Sequence, residues 1–147
     1  MSPRVLTLFE DDTVRKAVQM MVANHIDGLP VVDINLKVLG IVTGTDIARD
    51  AGKGKEGILT FLFTRDGKKA DLDQETRLRK TMDKPVYEIM SSPAITATED
   101  TPLGEIAALM GKNRFNRVPI LDSTGRLSGI IARGDIMRAI AKSIEQQ

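Results

Sequence analysis

Thr43, Thr45 and Asp46 place two hydroxyls and a carboxylate inside the stretch Gly40-Ile41-Val42-Thr43-Gly44-Thr45-Asp46-Ile47. The apolar run ending at Val42 reads as a strand, and the residues after it read as a helix from about Thr43. A helix start offers free backbone N–H groups and a positive dipole end, which suit a phosphate or another anion. The hydroxyls can donate to phosphate oxygens, while Asp46 can accept from a pair of ribose hydroxyls. A carboxylate repels a bare phosphate, so the combination describes a nucleotide better than a simple anion. The same residues also make an ordinary helix cap, and taken alone the stretch reads as one.

The stretch does not stand alone. Residues 5–49 lie on residues 94–138 without a gap. Leu29-Pro30-Val31-Val32-Asp33 meets Val118-Pro119-Ile120-Leu121-Asp122, Gly40-Ile41 meets Gly129-Ile130, and Asp46-Ile47 meets Asp135-Ile136. Thr7, Glu10, Asp11, Met21 and Asn24 recur as Thr96, Glu99, Asp100, Met110 and Asn113. A duplicated unit packs as a pseudo-symmetric pair, and the seam of such a pair offers two related clefts for small molecules.

The elements that must position these residues follow the order strand, helix, strand, strand, helix in each copy, a mixed α/β (α+β) class. Val5–Leu8 is a short apolar strand, and Glu10-Asp11-Asp12 an acidic lead into the first helix. Thr101 is the expected N-cap of the second copy's helix, with Pro102 at its first position. Val14, Ala17, Val18, Met21 and Val22 recur at helical spacing, as do Leu103, Ile106, Ala107 and Met110. Pro30 cannot sit inside a helix, so the chain has turned into a strand by then. Leu29–Val32 and Val38–Val42 are β-rich runs joined across Asp33–Lys37, where the second copy has the better turn chemistry of Asp122-Ser123-Thr124-Gly125. A closing helix starts at about Thr43, and its counterpart covers about Ala132 to Ser143.

With 147 residues the chain fits one compact module. Residues 1–50 form the first repeat, 51–85 an insert, and 86–147 the second repeat. Aromatic residues make up 3%, so the core must be aliphatic, with Met20, Met21, Met82, Met110 and Met137 as gap-fillers. The net charge of +1 disfavours nucleic acid and anionic membranes as partners, and the absence of cysteine excludes disulfides, thiolate zinc sites and a thiol nucleophile. No apolar run is long enough to span a bilayer and no leader pattern opens the chain, so a cytoplasmic setting is expected.

Within the insert, Ile58, Leu59, Phe61, Leu62 and Phe63 form an apolar patch that either covers an edge of the module or contacts another subunit or protein. A helix is expected from about Asp73 to Met82. Gly52-x-Gly54-x-x-Gly57 matches a dinucleotide-binding pattern literally, yet it follows a helix and not a strand, so it reads as a connector. The Gly-Lys pairs at 52–53, 54–55, 67–68 and 111–112 lack the Ser or Thr of a phosphate loop. His25, the single histidine, matches Arg114 near a helix end, where a basic residue complements the dipole. Arg77, Arg79, Lys80 and Lys84 are interleaved with Asp71, Asp73, Glu75 and Asp83, as on a solvated helix face. No metal site and no catalytic constellation emerges.

The pattern of apolar-Pro-Val-Val-Asp followed by Gly-Ile-Val-Thr-x-x-Asp-Ile, present twice in register, resembles the CBS (cystathionine-β-synthase) domain. Val86-Tyr87-Glu88-Ile89-Met90-Ser91-Ser92-Pro93 resembles the family's lead-in to a repeat, and Met1-Ser2-Pro3 a shortened form of it. The resemblance implies a tandem pair of β-α-β-β-α repeats with pseudo-two-fold symmetry, called a Bateman module. It implies a regulatory sensor and not an enzyme, commonly a homodimer, with an adenosine-containing ligand in the clefts. Adenine nucleotides come first, AMP foremost among AMP, ADP and ATP, and no obligatory cofactor is expected.

Carried onto this chain, the resemblance gives the first cleft Ile41, Thr43, Thr45 and Asp46 around ribose and phosphate, with Met90, Ile95, Phe115 and Asn116 around the base. The second cleft takes Ile130, Gly134 and Asp135, with Leu6, Ile26, Asp27 and Gly28 around the base. Arg117 matches a phosphate-binding position of the family and lies near the midline, where it can serve either ligand. Ala132 replaces the threonine equivalent to Thr43, and Arg133 is added beside it. The hydroxyls therefore fall in one cleft and the best-placed arginine in the other, which favours Asp46 over Asp135 for ribose recognition. With no fused effector in the sequence, the signal is expected to reach a separate effector protein or to remain within an oligomer. The competing readings are a constitutive oligomeric scaffold with vestigial clefts, a nucleotide-processing enzyme and a nucleic-acid binder.

Overall fold

The computed structural model describes residues 6–52, 72–113 and 116–145 of the chain. The apolar patch at 58–63, the glycines at 54 and 57, the shortened lead-in at 1–3, and Phe115 lie outside those residues. The first repeat runs β1 (Leu8–Phe9), α1 (Val14–Asn24), β2 (Gly28–Val32), β3 (Val38–Thr43) and α2 (Gly44–Asp50). Helix α3 (Leu72–Asp83) and a single 3-10 turn (Val86–Glu88) lead to the second repeat. That repeat runs β4 (Ala97–Thr98), α4 (Leu103–Asn113), β5 (Arg117–Leu121), β6 (Leu127–Ala132) and α5 (Arg133–Glu145). The element order is the expected one, although β1 begins at Leu8, where the expected strand ends.

Each repeat builds one three-stranded sheet in sequence order, with a parallel first pair and an antiparallel second pair. The correspondence extends to the bulges. Val31 faces Gly40 and Val32 faces Val38, just as Ile120 faces Gly129 and Leu121 faces Leu127, so Leu39 and Ser128 are the equivalent extra residues. An extra residue bends its strand and raises the local twist.

The long helices of the two copies start alike, and in the second copy one position later than expected. Thr13 caps α1 by accepting from the Lys16 N–H at 3.1 Å, and Asp12 accepts from the Phe9 N–H at 2.8 Å. The acidic triplet therefore closes the turn ahead of the helix and places no carboxylate in its first turn. In the second copy Thr101 holds the Thr98 N–H at 3.0 Å, as Asp12 holds that of Phe9, and the Pro102 carbonyl accepts from the Glu105 and Ile106 N–H groups. Pro102 thus stands where Thr13 does, before the helix, and not at its first position.

The hairpins also match. Asp33 accepts from the Asn35 and Lys37 N–H groups, and Asp122 from those of Thr124 and Arg126. Both hairpins need a left-handed residue at the same place, supplied by Leu36 (φ 65°) in one copy and Gly125 (φ 82°) in the other. His25 likewise adopts φ 54° and ends α1 as its C-cap, so its place reflects backbone geometry and not a basic last turn.

Two apolar clusters form the interior. The first unites Leu8, Val14, Ala17, Leu29, Val31, Val42 and Ile47 with Leu78 and Met82 of α3 and Val86 of the 3-10 turn. The second, around Ile106, Met110, Val118, Ile120, Ile131 and Ile136, has no such addition among the described residues. Helix α3 covers Asp73–Met82 as expected, with one more residue at each end, and it is built into the first repeat's core. Asp50 fastens it, accepting from the Thr81 hydroxyl at 2.7 Å and the Lys84 ammonium at 3.0 Å. Of the methionines, Met21, Met82 and Met110 fill the core, whereas Met137 is 60% exposed on α5 and fills no gap.

The repeats are joined by backbone. Ile41 and Ser91 exchange both N–H···O bonds at 3.0 and 2.9 Å, and the Leu127 N–H donates to the Leu36 carbonyl at 2.9 Å. Gly40 makes the first contact possible: a Cβ there would sit 2.5 Å from the Ser91 carbonyl oxygen.

Candidate functional site

Local chemistry at the end of β3 fixes the most elaborate polar cluster described. Thr43 leaves the strand with extended backbone and caps α2, accepting from the Asp46 N–H at 3.3 Å. Asp46 reciprocates: its Oδ2 accepts from the Thr43 N–H at 2.8 Å and the Thr43 hydroxyl at 3.0 Å. This is a capping box, which satisfies two of the helix's orphan donors at once. The Ser91 hydroxyl donates to the other carboxylate oxygen at 2.7 Å, and the Arg49 guanidinium stands 3.9 Å away. At 4% exposure, Asp46 is a buried, satisfied group that clasps the second repeat's lead-in to α2.

A hollow of about 260 Å³ opens over this cluster, a little below the roughly 300–1,000 Å³ of small-molecule clefts. Ile41, Thr43, Thr45, Asp46, Ile95, Asn116 and Arg117 line it, so the inter-repeat seam brings together most of the set expected for the first cleft. Met90 does not line it. Its side chain packs on the first core and against Gly40, where a Cβ would meet its sulfur at 2.9 Å. Thr45 is exposed, and its hydroxyl has no hydrogen-bond partner among the described residues.

A second, shallower hollow of about 430 Å³ lies beside the first. Of the residues expected there, Ile26, Asp27, Arg133 and Gly134 line it, and Leu6, Gly28, Ile130 and Asp135 do not. Gly28 lines the first hollow instead. The Asp135 carboxylate turns back on its own helix, accepting from the Ala132 N–H at 2.8 Å and from the Arg138 guanidinium. The Ala132 N–H, opposed by partial desolvation and aided by Arg138, holds this carboxyl below the usual aspartate range. With alanine in place of threonine at 132 there is no hydroxyl to complete a capping box.

Asp27, Asn116 and Arg117 line both hollows. The Arg117 Nε lies 3.4 Å from Asp27 Oδ1, so an ion pair between the repeats forms part of the shared wall. Ser91, Arg49, Pro93 and Ala94 join the first hollow without having been singled out from the sequence, and His25 joins the second. Ser91 and Pro93 had a signal, since both sit in the lead-in of the second repeat. Arg49 follows Asp46 by three positions and shares its helix face.

Two matching β-α-β-β-α units, bonded edge to edge over adjacent hollows, define a tandem-repeat α/β pair. The chain belongs to the CBS domain family, whose model matches residues 1–52 and 86–142. It is 33% identical over 130 residues to the chloroplastic CBS domain-containing protein CBSX1 of Arabidopsis thaliana, covering 86% of this chain and 55% of that one. A CBS domain-containing protein of Dictyostelium discoideum is 30% identical over 145 residues, covering 99% and 90%. An inosine-5′-monophosphate dehydrogenase of Methanocaldococcus jannaschii is 32% identical over 134 residues, but only 21% of that enzyme is covered. The chain spans about half the length of the Arabidopsis relatives it matches.

Among solved structures, the fold is similar to CBSX2 in complex with AMP, with TM-score 0.72, 26% identity, and 97% and 93% of the two chains covered. It is similar also to the CBS domain pair of protein MJ0100 in complex with 5′-methylthioadenosine and S-adenosyl-L-methionine, with TM-score 0.70, 26% identity, and 97% and 93% covered. No helix among the described residues is long and apolar enough to cross a membrane.

Proposed function

We propose that this chain is a regulatory module that binds an adenine nucleotide, AMP foremost, in the hollow over Thr43–Asp46. The observation that carries the reading is the composition of that hollow: both repeats contribute to it, and it presents a Thr45 hydroxyl with no partner among the described residues, two arginines and a buried carboxylate. Phosphate would meet Thr45 and Arg117. A ribose hydroxyl would take over one of the donor positions on Asp46 that Ser91 and Thr43 now hold. A ligand can shift a conformational equilibrium only by its difference in affinity between the two states, and one that grips both repeats has such a difference. The AMP complex of CBSX2 and the S-adenosylmethionine complex of MJ0100 support the chemical class.

Residues 1–50 and 86–147 act in this reading as the two ligand-gripping repeats, with the 51–85 insert buttressing the first through α3. Helix α5 leaves Met137, Ile140 and Ile144 in one stripe, 60%, 49% and 66% exposed, which favours pairing with a second copy. A constitutive scaffold would use the same stripe while leaving the hollows empty.

A thermal-shift series over AMP, ADP, ATP, NAD and S-adenosylmethionine tests the reading. A ligand at a hundred times its Kd adds about 2.7 kcal/mol to the native state, a shift of several degrees. Thr45→Ala should abolish the shift while leaving the unliganded melting point in place, because that side chain supports nothing else described. Melting that stays unchanged at millimolar nucleotide would favour the scaffold, and loss of nucleotide during long incubation with magnesium would favour an enzyme.

A further inference from the structure

The ends of β1 and β2 farthest from the nucleotide hollow form a separate groove of about 660 Å³. Its floor is Val32, fully buried, and its walls are Phe9, Ile34 and Tyr87, which are 44%, 88% and 52% exposed. Glu10, Asp11 and Asp33 complete the lining, and among the described residues no cationic side chain contributes to it. Among the described residues none of the three carboxylates enters an ion pair; Asp33 uses one oxygen for its turn, and the Glu10 and Asp11 carboxylates accept no hydrogen bond. The 3-10 turn holds Tyr87 in place, its N–H donating to the Glu10 carbonyl at 3.1 Å.

The duplicated half of the molecule is an internal control. The positions equivalent to Glu10, Asp11 and Asp33 are Glu99, Asp100 and Asp122, so the acidic frame belongs to the repeat. The positions equivalent to Phe9 and Ile34 are Thr98 and Ser123, so the fold accepts small polar residues there. An isoleucine with most of its surface in water, beside two exposed aromatic rings, costs free energy of hydration that the fold does not require. A contiguous exposed apolar patch ringed by charge of one sign marks a contact surface.

We propose that this groove docks a basic, apolar-anchored peptide segment of a partner protein. Its aliphatic or aromatic side chains enter between Phe9, Ile34 and Tyr87, and its lysine or arginine side chains meet Glu10, Asp11 and the free oxygen of Asp33. Alternation suits the site, since an extended peptide presents apolar and charged side chains to opposite edges. The whole chain carries a net charge of only +1, so the local acidity is a property of this face and not of the protein. The groove shares no lining residue with either hollow of the seam, so the proposal is independent of nucleotide binding.

The test uses the full chain and a fluorescein-labelled peptide of about ten residues with alternating leucine and lysine, read by fluorescence anisotropy. Controls replace all lysines by glutamate or all leucines by serine. Saturable binding of the first peptide is expected, weakened at least tenfold in F9T/I34S, which installs the residues of the second repeat. A similar loss is expected in E10Q/D11N, which keeps the apolar walls, and both variants should keep the parent's melting temperature and nucleotide response. Raising salt from 50 to 500 mM should weaken binding to the parent but not the residual binding to E10Q/D11N. The proposal is overturned by absence of saturation, by equal binding of the serine peptide, or by parent-like affinity in both variants. It is overturned equally if F9T/I34S lowers the parent's sedimentation mass, since the occupant would then be a second copy.

Discussion

The two repeats share their strand order, pairing and even the position of a bulge, yet they are finished differently. The first repeat's last helix carries alanine at 48 and ends at Ala51, only 4% and 1% exposed, and α3 settles in the same cluster through Leu78 and Met82. The second repeat carries Met137 and Ile140 at the equivalent positions, 60% and 49% exposed. Small residues let a helix approach; large ones leave apolar surface waiting for a cover. The polar ends differ in the same sense. Asp46 is clasped by Thr43 and Ser91 in a buried box, whereas Asp135 holds one backbone N–H and an arginine exposed on its own helix. One backbone plan, duplicated, has become a self-contained half and an open half, and the difference resides in a few side-chain volumes and one missing hydroxyl.

The comparison breaks most visibly if the cover is removed. Leu78→Ala, at a position 1% exposed, should cost about 3 kcal/mol in urea unfolding. Ile140→Ala on the open half should cost under about 0.5 kcal/mol in dilute protein. Equal losses would mean that α3 contributes no more than a surface helix. Next in size, Asp46→Ala should lose about 2 kcal/mol, because it removes the buried carboxylate that accepts from the half-buried Thr43 and from the Ser91 hydroxyl and ends the capping box, and Asp135→Ala about half as much. Chemical denaturation of both variants in parallel measures that ratio.

Exchange of the hairpin residues sharpens the contrast further. Leu36→Gly should stabilise the first hairpin by about 1 kcal/mol and Gly125→Leu should destabilise the second by a similar amount, since a left-handed backbone costs about that much for a side chain. The smallest effect is one of pH. Burial raises the Asp50 carboxyl, but the Thr81 hydroxyl and the Lys84 ammonium outweigh it, so the net shift is downward from 3.8. Asp50 therefore contributes stability that is present in full above that value and lost as pH falls below it through the lowered folded value. Asp50→Asn should cost about 1 kcal/mol at neutral pH, and the gap from the parent should close as acid protonates Asp50 below pH 3.8.

Much of the fold was legible because duplication checks each reading against a second copy. The strand, helix, strand, strand, helix order, the hairpin at Asp33–Lys37 and the helix across 73–82 all follow from periodicity and turn chemistry. The start of the second copy's long helix was misplaced by one residue because Thr101, like Asp12 in the first copy, has a competing use in the turn before the helix, which no local pattern distinguishes from a cap. Met137 was read as a gap-filler because a core poor in aromatic residues calls for flexible aliphatic side chains, but it stands exposed. Sequence shows that a methionine is apolar, not whether anything lies against it.

The candidate site divides along the same line. Thr43 and Asp46 were legible as a cap because a capping box is local, spanning three positions on one chain segment. That Ser91 completes the same carboxylate, that Gly28 faces the first hollow, that Asp135 turns away from the second, and that Arg117 pairs with Asp27 depend on how two repeats are placed against each other. The sequence by itself determined the repeated unit, its secondary structure and the residue types available for recognition, since those depend on short-range periodicity and backbone preference. Only the tertiary structure decided which of those residues share a hollow, because that depends on contacts between residues 45 and 90 positions apart in the chain.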